Sequence, residues 1–281
     1  MFSSRNCVGF SLVEMSVVLV ILGFVLAALL LPIQAQRTQL FQTQTENTLE
    51  IARKALLGYA QSKGRLPCPA TAVNFQSNTD TGSGGQESPL GGTHNVTPPS
   101  PAVPNCTVSV GYLPAATLGI QPTDPQGFAV DGWNNRIRYA VTANNNSAAI
   151  VNGTACGGDT APDFTTTGNM AAVGLACLAP DLRVCSTSVG ITASACSGGT
   201  ETNYLINNAV VVIYSTGATE TVEAATLPPI LRPDETANLN NDTVFVSHDI
   251  AATAGNEFDH LVVWLSPYVL YNAMVETGQL H

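Results

Sequence analysis

At 281 residues the chain can hold one large domain or two small ones, and 45% hydrophobic against 11% charged residues provides a core while leaving the surface to Ser, Thr, Asn and Gly. A net charge of -10, with only ten Lys and Arg in the whole chain, argues against a nucleic-acid-binding surface, because such a face draws its affinity from clustered cations.

The N-terminus carries the strongest signal. MFSSRNCVG is a short stub with one arginine, Arg5, and it ends in Gly9. From Phe10 to Leu31 there follow 22 residues without Lys or Arg. As a helix they would reach about 33 Å, enough to cross a hydrocarbon core, so the stretch reads as a membrane span. Its one charge, Glu14, finds no cation on its own helix, which points to the headgroup region or another chain for a partner. A secretory signal with cleavage after Ala27-Ala28 or Ala35-Gln36 is the competing reading, and it would remove the span.

The order of basic stub, Gly9, Phe10, Ser11-Leu12-Val13-Glu14 and long apolar helix resembles the leader of type IV pilins and of the pseudopilins of type II secretion. The resemblance implies cleavage between Gly9 and Phe10 by a prepilin peptidase, N-methylation of Phe10, and a role for Glu14 in assembly. In the family's filaments the carboxylate of that glutamate pairs with the N-terminal amine of an adjacent subunit. On this basis residues 1–9 are a leader, 10–31 a transmembrane and assembly helix, 32–64 an amphipathic continuation of the helical spine, and 65–281 a periplasmic globular head. The expected location is the bacterial inner membrane, single-pass with the N-terminus cytoplasmic, and later a filament or the cell surface. The implied partners are the peptidase, other pilin or pseudopilin subunits and an inner-membrane assembly platform.

Beyond the span, Pro32 is placed to kink the helix. Leu49, Ala52, Leu56, Tyr59 and Ala60 then recur at helical spacing, and the helix should end near Gly64, ahead of Pro67. From Leu66 to Cys106 the chain is rich in Gly, Pro, Ser, Thr and Asn and reads as an irregular excursion. Its glycines at 82, 84 and 85 lack the Lys-Ser or Lys-Thr of a phosphate loop.

Cys7 lies in the leader, leaving Cys68, Cys106, Cys156, Cys177, Cys185 and Cys196. An even number in an exported domain suggests disulfides, whose connectivity the sequence leaves open. Joining chain neighbours gives Cys68–Cys106, Cys156–Cys177 and Cys185–Cys196.

Asp131-Gly132-Trp133-Asn134-Asn135 looks like a tight turn, followed by a strand over Arg136–Val141. The turn and strand resemble those opening the head sheet of major pseudopilins, with Asn134 standing where the family carries Gly. Residues 144–203 read as a second irregular region. Ala209–Tyr214 is the most apolar strand and is expected to be central, with further strands at Thr243–Val246 and His260–Leu265. The tail from Pro267 reads as a short amphipathic helix with Val269, Leu270, Ala273 and Met274 on one side.

No HExxH or GxSxG occurs, and His94, His248, His260 and His281 stand apart, so no catalytic constellation is expected and the histidines read as solvated loop ends. Asp234, Glu235 and Asp242 are candidate calcium ligands, against the alternative of a solvated acidic loop; no other cofactor is indicated. The expected fold is α+β, a long N-terminal helical spine with a membrane-spanning first half and a head on an antiparallel sheet with long disulfide-clamped loops. The function these readings favour is a minor pilin or pseudopilin serving as a structural filament subunit. A filament-tip adhesin and a membrane-anchored periplasmic enzyme are the alternatives.

Overall fold

The computed structural model describes residues 11–71, 84–88, 106–146, 148–158, 161–196, 203–219, 232–253 and 256–280, with the side chains of 27–35 and 252–256 excepted. The chain divides into two compact units, residues 1–43 and 44–281. Helix α1, Leu12–Lys63, runs through both, and its 52 residues continue past Pro32. It stops at Gly64, whose φ of 66° is the left-handed conformation that glycine adopts without a Cβ clash; the Gly64 N–H donates to the Ala60 carbonyl.

The membrane-spanning reading of α1 is corrected. Among the described residues no helix is long and apolar enough to cross a membrane. The transmembrane helix and the single-pass inner-membrane location fall with it.

In the second unit the α1 stripe is built as its spacing requires. Leu49, Ala52, Leu56 and Ala60 are fully buried, Tyr59 is half-buried, and Thr45 and Thr48 extend the buried face toward the N-terminus. This face packs on a four-stranded antiparallel sheet of β1 (Val110–Tyr112), β2 (Arg138–Val141), β7 (Val211–Ser215) and β11 (Leu261–Leu265), in the order β1-β2-β7-β11. Between β1 and β2 lies the one-turn helix α2 (Ala115–Leu118).

Strand β7 is buried at every position, which is why it reads as an unbroken apolar run. Val211 and Ile213 face the layer that holds α1, while Val212 and Tyr214 face a second sheet. That sheet has the order β6-β5-β8, from β5 (Leu182–Cys185), β6 (Tyr204–Ala209) and β8 (Val244–Val246), and β5 and β8 run parallel. The strand at 244–246 thus belongs to the second sheet, and the region read as irregular supplies β5, with β6 following directly after it.

Smaller elements complete the unit. They are the hairpins β3 (Ile150–Val151) with β4 (Thr154–Ala155) and β9 (Ala251–Thr253) with β10 (Asn256–Phe258), and the helices α3 (Asn169–Val173) and α4 (Pro233–Ala237). The C-terminal helix α5 (Pro267–Glu276) buries Leu270 and Met274 against the α1 layer, whereas Val269 is exposed. Most of the 66–106 excursion lies outside the described residues.

Candidate functional site

Gly9 and Phe10 lie outside the described residues, so the site is described from Ser11 onward. Ser11 precedes the first helical residue, Leu12, and Glu14 stands three positions later, which is the spacing of a capping box. The Ser11 hydroxyl accepts from the Val13 N–H at 3.3 Å, and the Ser11 N–H donates to Glu14 Oε2 at 2.9 Å. Glu14 therefore has a partner on its own helix. A search for a cation alone misses it, because the donor is a backbone N–H at the start of the first turn. Past this cap the helix is apolar and its described side chains to Leu26 are exposed, with Leu12 90% and Phe24 74% exposed.

The three calcium candidates serve separate partners. Asp234 accepts from the Ser188 N–H at 2.6 Å and lies 3.1 Å from His248 Nε2. Asp242 accepts from the Val244 N–H at 2.8 Å and from Asn240 Nδ2 at 2.7 Å. Glu235 accepts from the Asp259 N–H at 2.8 Å and pairs with Arg232 at 3.4 Å.

Glu235 instead meets Asp259 and His260, with one ligand-type atom of each lying within 4.8 Å of the others. The donor set does not suit a cation. The Asn238 amide is fixed by Val246, whose N–H donates to Oδ1 at 2.7 Å and whose carbonyl accepts from Nδ2 at 3.0 Å. Asn238 Nδ2 consequently faces His260 Nδ1, at 3.0 Å, as a donor, so Nδ1 accepts and the proton of the neutral ring sits on Nε2. Neither nitrogen then offers a metal a free lone pair, and Arg232 already holds Glu235.

His260 is 2% exposed, not solvated as read from the sequence. Burial, with Arg138 and Arg232 nearby, pushes its pKa down to about 3. Burial and the charge of Glu235 push Asp259 up to about 6. Asp259 in turn accepts from the Ala218 N–H at 2.9 Å and the Thr219 hydroxyl at 3.0 Å, tying the turn after β7 to the start of β11.

Two further groups organise the unit around α1. At its C-terminal end Arg65 makes a two-pronged pair with Glu87, at 2.8 and 2.7 Å, and Glu87 also accepts from the Tyr59 hydroxyl and the Cys68 N–H. Burial, then the charge of Glu87, raises the Tyr59 pKa. Glu87 sits in a stretch without periodicity, and no sequence signal marks it. The Asp131 turn is held by its own carboxylate, which accepts from the Trp133 and Asn135 N–H groups and from the Ser215 hydroxyl. The Gly132 N–H donates to Thr45 of α1 at 2.9 Å.

The six cysteines form Cys68–Cys106, Cys156–Cys177 and Cys185–Cys196, each joined to its chain neighbour, with Cα separations of 5.3, 5.8 and 5.4 Å. These lie within the usual range for disulfides.

Among known families, the prokaryotic N-terminal methylation motif matches residues 5–30. This prepilin-type motif is consistent with the type IV pilin and pseudopilin superfamily and with a non-catalytic structural protein, and it implies processing by a prepilin peptidase and assembly with related proteins. No curated protein and no solved structure matches the chain.

Proposed function

We propose that the chain is a structural filament subunit of the pilin or pseudopilin kind, cut between Gly9 and Phe10 and assembled through the first half of α1. The observation that carries this reading is the stretch of α1 from Leu12 to Leu26, whose apolar side chains are exposed although a motif for processing and assembly lies over them. Side-by-side packing with the same helix of neighbouring subunits would bury that surface.

In this reading Glu14 supplies the register. Cleavage frees the amine of Phe10, and a carboxylate meeting that amine in a low-dielectric helix bundle is satisfied in only one axial alignment. The mature subunit then consists of the helix from Phe10 onward and the disulfide-bonded head.

The capping geometry makes the test sharper. Glu14→Ala removes both the charge and the hydrogen bond to Ser11, whereas Glu14→Gln keeps an acceptor for the Ser11 N–H and removes only the charge. Both variants should be cut at Gly9 normally, as read by N-terminal mass, and both should be lost from sheared or purified filaments. A Glu14→Gln chain that assembles like the wild type would refute the charge-pairing role and leave Glu14 as a helix cap.

A further inference from the structure

Among the described residues three asparagines adopt the left-handed conformation, Asn134, Asn152 and Asn241, with φ of 70°, 50° and 60°. The residue on the C-terminal side sets them apart. The N–H of Asn135 is held by Asp131 at 2.8 Å, and that of Asp242 by Asn240 at 3.0 Å. After Asn152 comes Gly153, and no hydrogen bond engages its N–H among the described residues.

The Asn152-Gly153 pair is the only Asn-Gly in the chain and forms the two-residue turn between β3 and β4. Both turn residues and both residues of β4 are exposed. A side chain added at Gly153 would meet nothing within 4 Å, so the peptide has room to swing. The hairpin pairs over just two positions, Ile150 with Ala155 and Val151 with Thr154. So short and exposed a ladder opens at little cost. Its base is fixed, because the Cys156 N–H donates to Ala149 at 2.9 Å and Cys156 is bonded to Cys177.

We propose that Asn152 is a site of slow self-modification, deamidation through a cyclic imide. The backbone nitrogen of Gly153 attacks Cγ of Asn152. The new N–Cγ bond forms as the Cγ–Nδ2 bond breaks, and the amide proton leaves with the amine as ammonia. Water then opens the five-membered ring at either carbonyl, giving aspartate or isoaspartate, with no change of oxidation state. Either product places a new negative charge at the hairpin tip. The isoaspartyl form also routes the main chain through the side-chain carbon, and the fixed base confines that change to the turn.

The test is to hold the full-length, disulfide-bonded protein in mildly alkaline buffer and map peptides over time by mass spectrometry, with fragment ions that separate the two linkages. Asn152 should convert to both products at a rate within about tenfold of that in the reduced, denatured chain, since so small a hairpin opens easily. Asn134 and Asn241 in the folded protein should stay intact over the same period. Retention of Asn152 while the denatured chain converts, or equal conversion at all three positions, would overturn the proposal.

Discussion

At Asn134 one backbone angle limits which residue can stand in the turn before β2. With φ of 70° it lies in the left-handed region, and Asn is the non-glycine side chain that best tolerates it. Replacing it with Gly should change the urea midpoint little, because relief of local strain is offset by a freer unfolded chain. Asn134→Val should cost about 1–3 kcal/mol, since a β-branched residue resists the same angle. A midpoint unmoved by Val would show that the turn can adopt another form. The residue scale is also where the sequence is least legible. His260 and Asp259 are adjacent in a segment that reads simply as the start of a strand, and nothing local reports that Asn238, Glu235 and Ala218 converge on them.

At the scale of elements, the α1 stripe and the three strands at 138–141, 211–215 and 261–265 are legible because burial imposes a period on them. β5 is not, because its short run lies inside a cysteine-rich region of irregular texture and ends in a disulfide cysteine. The Arg65–Glu87 pair is hidden for another reason: it joins the end of a helix to a stretch with no regular structure, and its order comes from tertiary contact. Both side chains are about 5% exposed or less, so removing one leaves the other as an unpaired buried charge. Glu87→Gln should therefore cost about 3–5 kcal/mol in chemical denaturation. Replacing the pair by apolar residues of similar volume, as in Arg65→Met with Glu87→Leu, should cost less than the single change. If the double variant is the less stable of the two, the pair has a role beyond mutual neutralisation, such as organising Tyr59 and the Cys68 N–H.

For the molecule as a whole, buried His260 and half-buried Asp259 shape the response to pH in opposite senses. His260 has its pKa lowered from 6.5 to about 3, so the folded state binds fewer protons than the unfolded one between those values. Its contribution is present above pH 6.5 and is lost as the pH falls toward 3. Asp259 is raised from 3.8 to about 6, so its contribution is present below 3.8 and is lost as the pH rises through 6. Asp259→Asn removes the second effect: urea midpoints should show the variant gaining on the wild type as the pH rises from 4 to 6. A difference independent of pH would mean that Asp259 titrates normally.

The order of the three disulfides has a consequence for biogenesis. Because every bridge closes on the next cysteine along the chain, the loops neither nest nor cross. A polypeptide that emerges N-terminus first can be oxidised correctly by joining each thiol to its successor, without an isomerase to undo wrong pairs. That sequence of pairings begins at Cys68 only if Cys7 is out of reach. A precursor that kept Cys7 beside its later cysteines would offer a seventh thiol at the head of the queue and shift every pairing by one. In the processing proposed above, a cut at Gly9 would remove that seventh thiol as well as creating a new N-terminus.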